Sequence, residues 1–216
     1  QDRLLGLGGE TVERHATLEQ IGRAHTADYL ALLRSIDRPA HLDADTICSE
    51  TSWEAATLAA GIALEAVDRE SFALIRPPGH HALPDRSMGF CLVNQIAIAA
   101  EHARTGGADR VLIFDWDVHH GNGTAEIFDE RDDVLYISIH QSPLYPGTGA
   151  AGDIGTGAGT QVLLGKPGLA FERRLYAVEG GGGTVLPVVP TINFPVAAMV
   201  SGDLDGDGAS DDVAAV

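Results

Sequence analysis

The sequence predicts an α/β domain built on a parallel β-sheet flanked by helices, and three observations lead to this prediction. Its 216 residues, 44% of them hydrophobic and 21% charged, are enough for one such domain with an apolar core. Short apolar runs alternate with segments of helical spacing. Polar clusters follow the apolar runs, at the strand ends where open parallel sheets carry their functional sites.

Three helices are predicted from apolar spacing and from signals at their ends. The first covers Glu19 to Arg34 and follows a capping box formed by Thr17 and Gln20. The second is the alanine-rich segment from Ser52 to Val67, and the third runs from Asn94 to Arg104 before a pair of glycines.

Three buried strands are predicted from short apolar runs. They are Phe72 to Ile75, Val111 to Phe114 and Val134 to Ile139. Because strands that alternate with helices form parallel sheets, the residues after these runs should meet at one edge of the sheet. Those residues are His80 and His81, Asp115 to His120, and His140.

The charge balance and the cysteines limit the function classes. A net charge of -17 argues against direct binding of nucleic acid and suits cationic substrates, such as basic protein tails or polyamines, although acidity also serves solubility. No apolar run approaches the roughly 20 residues of a membrane span. Cys48 and Cys91 form neither a disulfide framework nor a thiolate metal site, which favours a reducing, cytoplasmic setting.

The segment after the second predicted strand has the character of a metal site. Asp117 and His119 are separated by one residue, so in extended backbone both side chains point to the same side and can face one ion. Carboxylate and imidazole are zinc ligands, and Asp115 could orient them. The alternative is a polar strand end, but Gly121 and Gly123, which permit a sharp turn, favour a built site.

The tandem pair His80-His81 follows the stiff loop Arg76-Pro77-Pro78-Gly79. Histidine titrates near neutral pH, so adjacent imidazoles held by such a loop suit proton transfer. Taken alone, the pair would be interpreted as surface histidines. Because it lies next to predicted metal-binding residues on the neighbouring strand, a catalytic role is favoured instead.

Four motifs carry a resemblance to a known family. They are "RPPGHHA" at 76–82, "MGFCLVNQIAIAA" at 88–100, "VLIFDWDVHHGNGT" at 111–124 and "SIHQSPLYPGTG" at 138–149. In order and spacing they resemble the histone deacetylase and acetylpolyamine amidohydrolase family, in the class II-like bacterial branch of the arginase-deacetylase superfamily. The resemblance extends from about Glu10 to Gly159.

The resemblance implies a zinc-dependent hydrolase that removes acetyl groups from acetyl-lysine or acetylated polyamines. It implies His81 as general base, His80 as its electrostatic partner, and a metal-polarised acyl carbonyl. The remaining implied roles fall on four groups of residues. Asp117, His119 and Asp205 would be zinc ligands; Asp115 and Asn122 would orient the histidines; Gly89, Phe90 and Tyr145 would line the substrate tunnel; Ser138 and the backbone of Asp115, Asp117, His119 and Ile139 would hold a structural potassium ion.

The C-terminal third departs from the family pattern. We expect a deacetylase-like domain over 1–160, a divergent glycine-rich segment over 161–190 and a third segment over 191–216. The third segment is either a degenerate deacetylase strand ending at Asp205 or a calcium loop over Asp203 to Asp211 that is similar to FG-GAP repeats. The transition-state tyrosine of the family has no match after Asp205. With no initiator Met before Gln1, the chain is expected to be a fragment truncated at both ends. The alternative function is a catalytically incomplete fragment fused to a calcium-binding module.

Overall fold

A computed structural model gives the fold of the chain, and it describes residues 9–150 and the backbone of four later strands. The helices and strands of residues 9–150 are α1 (Leu18–Ile21), α2 (Ala27–Arg34), β1 (Ala40–His41), β2 (Ile47–Cys48), α3 (Ser52–Asp68), α4 (Gln95–Gly106), β3 (Val111–Asp115), α5 (Asn122–Phe128) and β4 (Val134–Ile139). The later strands are β5 (Val162–Leu164), β6 (Leu175–Val178), β7 (Val185–Val189) and β8 (Asp212–Ala215).

The main sheet has the strand order β5-β4-β3-β8, and all of its pairs are parallel. This confirms the predicted α/β class. In the register of β3 and β4, Asp115 lies opposite Ser138, so two polar side chains meet at the carboxyl ends of adjacent strands. The pairs β1-β2 and β6-β7 are small antiparallel ribbons.

The apolar core lies between the sheet and the helices. Val111 and Ile113 of β3 are buried while Leu112 and Phe114, which alternate with them, are half-buried, as period-2 alternation requires. Helix α4 packs on β3 and on α3, and its fully buried alanines Ala97 and Ala100 permit close approach. The structure confirms two of the predicted helices, which are α3 and α4, and two of the predicted strands, which are β3 and β4.

The predicted helix from Glu19 to Arg34 is wrong in its continuity, because the structure divides it into α1 and α2. The capping box is present: the Thr17 hydroxyl accepts from the Gln20 backbone N–H at 3.2 Å, and the Gln20 side chain accepts from the Thr17 N–H at 2.8 Å. Helix α1 then ends at Ile21 with Gly22 as its C-cap, and Thr26 caps a new helix by accepting from the Tyr29 N–H. A glycine and a second cap within one turn favour a break over continuation.

The predicted strand from Phe72 to Ile75 is also wrong. This segment is not a strand within the described part of the chain, and the side chains of Phe72 and Leu74 are 51% and 66% exposed. A strand needs a neighbouring strand to form its backbone hydrogen bonds. A short apolar run in the sequence indicates burial but does not show whether such a neighbour exists.

The substitution Gly61→Ala in the middle of α3 is expected to destabilise the protein by about 1 to 2 kcal/mol. Alanine normally favours a helix interior over glycine. Here a Cβ would lie 2.0 Å from the carbonyl oxygen of Arg14 and 2.7 Å from the backbone nitrogen of Ala16, so backbone would have to move. Urea unfolding measures the change. Gly106→Ala is the matched control, since a Cβ there meets nothing within 4 Å, and an equal loss in both variants would contradict the prediction.

Candidate active site

Backbone contacts bring the tandem histidines, the end of β3 and the start of α5 together. The N–H groups of Gly123 and Thr124 both donate to the carbonyl oxygen of His80, at 3.0 and 3.1 Å. A Cβ on Gly123 would lie 2.2 Å from the carbonyl oxygen of Ala82, so only glycine permits this approach. The first turn of α5 therefore rests directly on the segment that carries His80 and His81.

Asp115 is the buried centre of the site, with 1% of its surface exposed. Its Oδ2 accepts from His80 Nδ1 at 2.8 Å and from the Tyr136 hydroxyl at 2.9 Å, while Oδ1 accepts from the Asp117 N–H at 3.0 Å. Burial acts to raise the pKa of Asp115, but the hydrogen bond and charge of His80 outweigh it and lower that pKa below its ordinary value. Asp115 is therefore a fully paired carboxylate.

The two tandem histidines have opposite pKa shifts. Burial acts to lower the pKa of His80, but the hydrogen bond and charge of Asp115 raise it above the ordinary 6.5. Burial, followed by the charge of His80, lowers the pKa of His81 to about 4, against the hydrogen bond with Asn122. With the Asn122 Oδ1 as acceptor, His81 Nδ1 is the donor at 2.8 Å. His80 therefore tends to hold a proton and His81 stays neutral, with Nε2 as a lone pair.

The two predicted ligands Asp117 and His119 lie side by side at the open edge of this cluster. The Asp117 Oδ1 accepts from His119 Nδ1 at 3.0 Å and from the His119 N–H at 2.8 Å, and it lies 4.0 Å from His80 Nε2. Both side chains are partly exposed. A carboxylate and an imidazole at this separation fit zinc as a donor pair.

Within the described residues, no group of three His, Cys, Asp or Glu side chains is arranged to hold a metal ion. The predicted third ligand, Asp205, lies outside them, as do both interpretations of the segment Asp203 to Asp211. The zinc ligand set and the calcium loop accordingly stay predictions. The predicted divisions at 160 and 190 also stay predictions.

Two of the three predicted substrate-lining residues, Gly89 and Tyr145, lie beside the ring of His81. The ring of Tyr145 stands edge-on to His81, with centroids 5.1 Å apart, and lies 6.1 Å from the ring of His119. A Cβ on Gly89, whose φ is +56°, would lie 2.5 Å from Cδ2 of His81. Phe90, with φ of +66°, directs a 65% exposed side chain to the surface. Gly89 and Tyr145 therefore lie beside the ring of His81, and the substrate-lining role of Gly89, Phe90 and Tyr145 stays a prediction.

Burial raises the pKa of Tyr145 to about 12, and the charges of Asp45 and Asp43 act in the same direction. Tyr145 therefore presents a neutral hydroxyl at neutral pH.

A second histidine pair holds the loop that carries Tyr145. His140 Nε2 donates to the carbonyl oxygen of Gly149 at 2.9 Å, which leaves Nδ1 to accept from the Ser138 hydroxyl at 2.9 Å. His120 Nδ1 lies 2.8 Å from the Thr148 hydroxyl, and its ring lies tilted against that of His140, with centroids 4.8 Å apart. The predicted potassium site at Ser138 stays a prediction.

Sequence reasoning did not assign a role to Tyr136, which donates to Asp115. The signal was a tyrosine within an apolar strand, since a buried hydroxyl needs a hydrogen-bond partner. Burial and the charge of Asp115 raise its pKa well above the ordinary value, so it keeps its proton.

His25 and Asn94 form hydrogen bonds with the residues that directly follow the tandem histidines. The Asn94 N–H donates to His25 Nε2 at 2.9 Å, so the neutral His25 ring donates from Nδ1 to the carbonyl oxygen of Leu83, also at 2.9 Å. Asn94 caps α4 and donates to the carbonyl oxygen of Ala82 and to the Thr124 hydroxyl. This network joins α4, the histidine segment and α5.

Stability is expected to fall as the pH decreases from about 7 to about 5, by about 1 to 2 kcal/mol from His25 alone. Burial lowers the pKa of His25 to about 4, so the unfolded chain takes up a proton near pH 6.5 while the folded protein does not. This contribution is present above the unfolded pKa and is lost as the pH falls toward the folded one. Urea midpoints at the two pH values, compared between the parent and His25→Gln, measure it, and an identical pH dependence in both would contradict it.

In the part of the chain that the structure describes, no helix has both the length and the apolar character needed to cross a bilayer.

Comparison with known proteins agrees with the motifs. The family model of the histone deacetylase domain matches residues 3–168. The chain is 38% identical over 208 residues to histone deacetylase 15 of Arabidopsis thaliana, covering 89% of this chain and 37% of that protein. It is 42% identical over 198 residues to a histone deacetylase-like amidohydrolase of Pseudomonas aeruginosa, covering 87% and 52% respectively. The chain thus spans about half or less of the length of these relatives.

A solved structure, that of the HD domain of HDA15, matches with a TM-score of 0.72 and 38% identity. The match covers 76% of this chain and 52% of the solved one, and it confirms an arginase/deacetylase-like fold.

Proposed function

The chain belongs to the histone deacetylase family, and from this we propose that it functions in the zinc-dependent hydrolysis of amides, removing acetyl groups from acetyl-lysine or from acetylated polyamines. The observation that carries the proposal is the difference between the tandem histidines. His80 is held toward its charged form by Asp115, whereas His81 is held neutral beside the candidate ligands Asp117 and His119. A neutral base next to a cationic partner suits the activation of water.

In the proposed reaction, Asp117, His119 and Asp205 would hold zinc, which when bound would supply Lewis-acid polarisation of the acyl carbonyl and of water. His81 Nε2 takes the proton of the attacking water, because Nδ1 is occupied by its bond to Asn122. The charge of His80, held by Asp115, stabilises negative charge that develops nearby. A histidine then returns a proton to the departing amine.

The substrate side of the proposal rests on the walls around His81. The ring of Tyr145 and the exposed ring of Phe90 offer apolar faces to a linear acyl-amine chain, and Gly89 leaves the face of His81 open. The net charge of -17 favours basic carriers such as lysine-rich tails and polyamines. A cytoplasmic location belongs to the same proposal.

Metal analysis and a deacetylation assay test this proposal together. We expect zinc to co-purify with the protein, a chelator to abolish the release of acetate from acetyl-lysine peptides or N-acetylated polyamines, and added zinc to restore it. Asp117→Ala and His119→Ala should lose the metal, while Asp132→Ala, on the exposed surface, should retain it. Turnover that is indifferent to chelation, or zinc content unchanged in both ligand variants, would overturn the proposal.

A further inference from the structure

We propose that Met88 is a positioning residue that sets the orientation of the Asn122 side-chain amide and, through it, the tautomer of His81. Only the consequence for turnover rests on the proposed function; the effect on the tautomer does not. The inference comes from one contact outside the charged cluster, between the Met88 thioether and Asn122.

The Asn122 amide lies between His81 and Met88. Its Oδ1 is 2.8 Å from His81 Nδ1, and its Nδ2 donates to the Sδ of Met88 at 3.5 Å. Each end of the amide therefore faces a different partner, and a rotation by half a turn would exchange them.

The two partners differ in what they can accept. The neutral His81 ring can either donate or accept at Nδ1, so by itself it selects neither amide orientation. A thioether can accept a hydrogen bond and has nothing to donate. Met88 therefore favours the orientation that presents the NH₂ group to sulfur, because the other orientation would set the amide oxygen against the sulfur lone pairs.

The orientation of the amide decides which nitrogen of His81 carries the proton. With Oδ1 facing the ring, Nδ1 carries the proton and Nε2 keeps its lone pair, in a ring that neighbours Tyr145 and His119. With the amide reversed, Nδ1 would have to accept, the proton would move to Nε2, and the ring could no longer act as a base toward the open side of the site.

The backbone of Met88 is fixed by hydrogen bonds, so its side chain stays close to Asn122. Its backbone exchanges two hydrogen bonds with Cys91, at 3.2 and 2.9 Å, across a turn in which Gly89 and Phe90 have positive φ. The turn is tied to the rest of the protein by the Phe90 N–H, which donates to the Thr46 hydroxyl at 3.0 Å. Asn122 is the first residue of α5, and its N–H donates to the carbonyl oxygen of His120 at 2.9 Å.

The test is the tautomer of His81, measured by long-range ¹H–¹⁵N correlation spectra of the histidine rings at neutral pH, with assignment from His81→Gln. The parent should show His81 protonated at Nδ1. Met88→Leu, which keeps an apolar side chain but removes the acceptor, should raise the fraction protonated at Nε2 by about fivefold, the change expected for loss of one neutral hydrogen bond.

Asn122→Asp provides the rescue. An aspartate presents oxygen to His81 in either orientation and so keeps Nδ1 protonated, and Met88→Leu should leave the protonation of Nδ1 unchanged in that background. An unchanged tautomer in Met88→Leu, or an equal shift with and without Asn122→Asp, would overturn the proposal. Because the measurement needs neither zinc nor turnover, its failure is distinct from failure of the proposed function.

A second variant covers the case in which Met88→Leu does not fold. Norleucine incorporated in place of methionine replaces only sulfur by a methylene group, and Met199→Leu is the matched control because Met88 and Met199 are the two methionines of the chain. Norleucine should reproduce the shift of His81 and Met199→Leu should not; a shift in both, or in neither, would count against Met88.

Discussion

Replacing His81 with alanine is expected to lower the turnover of deacetylation by about 10³-fold, within the range that a positioned general base contributes. The reason is the lone pair on Nε2: burial and the charge of His80 hold the ring neutral, and the bond to Asn122 reserves Nδ1. The loss should appear in kcat with little change in KM, since His81 acts on water. Steady-state kinetics with an acetyl-lysine peptide measure both constants.

The matched control for this prediction is His102→Ala. His102 lies on α4 and pairs with Asp68 at 2.7 Å, away from the tandem histidines. Its loss should leave turnover within about twofold, as for a surface change worth a few tenths of a kcal/mol. If His81→Ala also retained turnover within a few-fold, the assignment of His81 as the base would be wrong.

Replacing Asp115 with asparagine is expected to destabilise the fold by about 3 kcal/mol and to abolish measurable deacetylation. The carboxylate is buried and accepts from His80, from Tyr136 and from the backbone of Asp117, so an amide would leave at least one of these donors facing an NH₂ group. Without the Asp115 carboxylate, only the charge of Asp117 opposes the effect of burial on His80, so the pKa of His80 falls and the site tends to lose that charge.

Two measurements separate these effects. Urea unfolding gives the loss of stability, with Asp132→Asn on the exposed surface as the control that should change it by less than about 0.5 kcal/mol. The ring ¹⁵N shifts of His80, followed against pH, report its charge. A variant that is as stable as the parent, or in which His80 titrates unchanged, would contradict the role of Asp115.

The parts of the fold that the sequence predicted correctly are those with local causes. Strands β3 and β4 follow from apolar runs bounded by polar residues, and the N-cap of α4 follows from Asn94, whose side chain accepts from the Ala97 N–H. The errors have non-local causes. The run from Phe72 to Ile75 has no neighbouring strand in the described part of the chain. Helix α5 was not predicted, because Gly121 and Gly123 disfavour a helix by local propensity; in the folded protein its first turn is held by hydrogen bonds to the carbonyl oxygen of His80.

The chemistry of the site divides in the same way. The sequence by itself determined the family and the residue types: a tandem histidine, an Asp-x-His pair and the glycines that allow them to approach. The residue types alone do not distinguish His80 from His81, and only the family resemblance implied that His81 is the base. The tertiary structure supplies the physical difference, because their partners Asp115 and Asn122 come from positions 35 and 41 residues away. A pKa depends on burial and on charges within a few ångströms, and folding decides both.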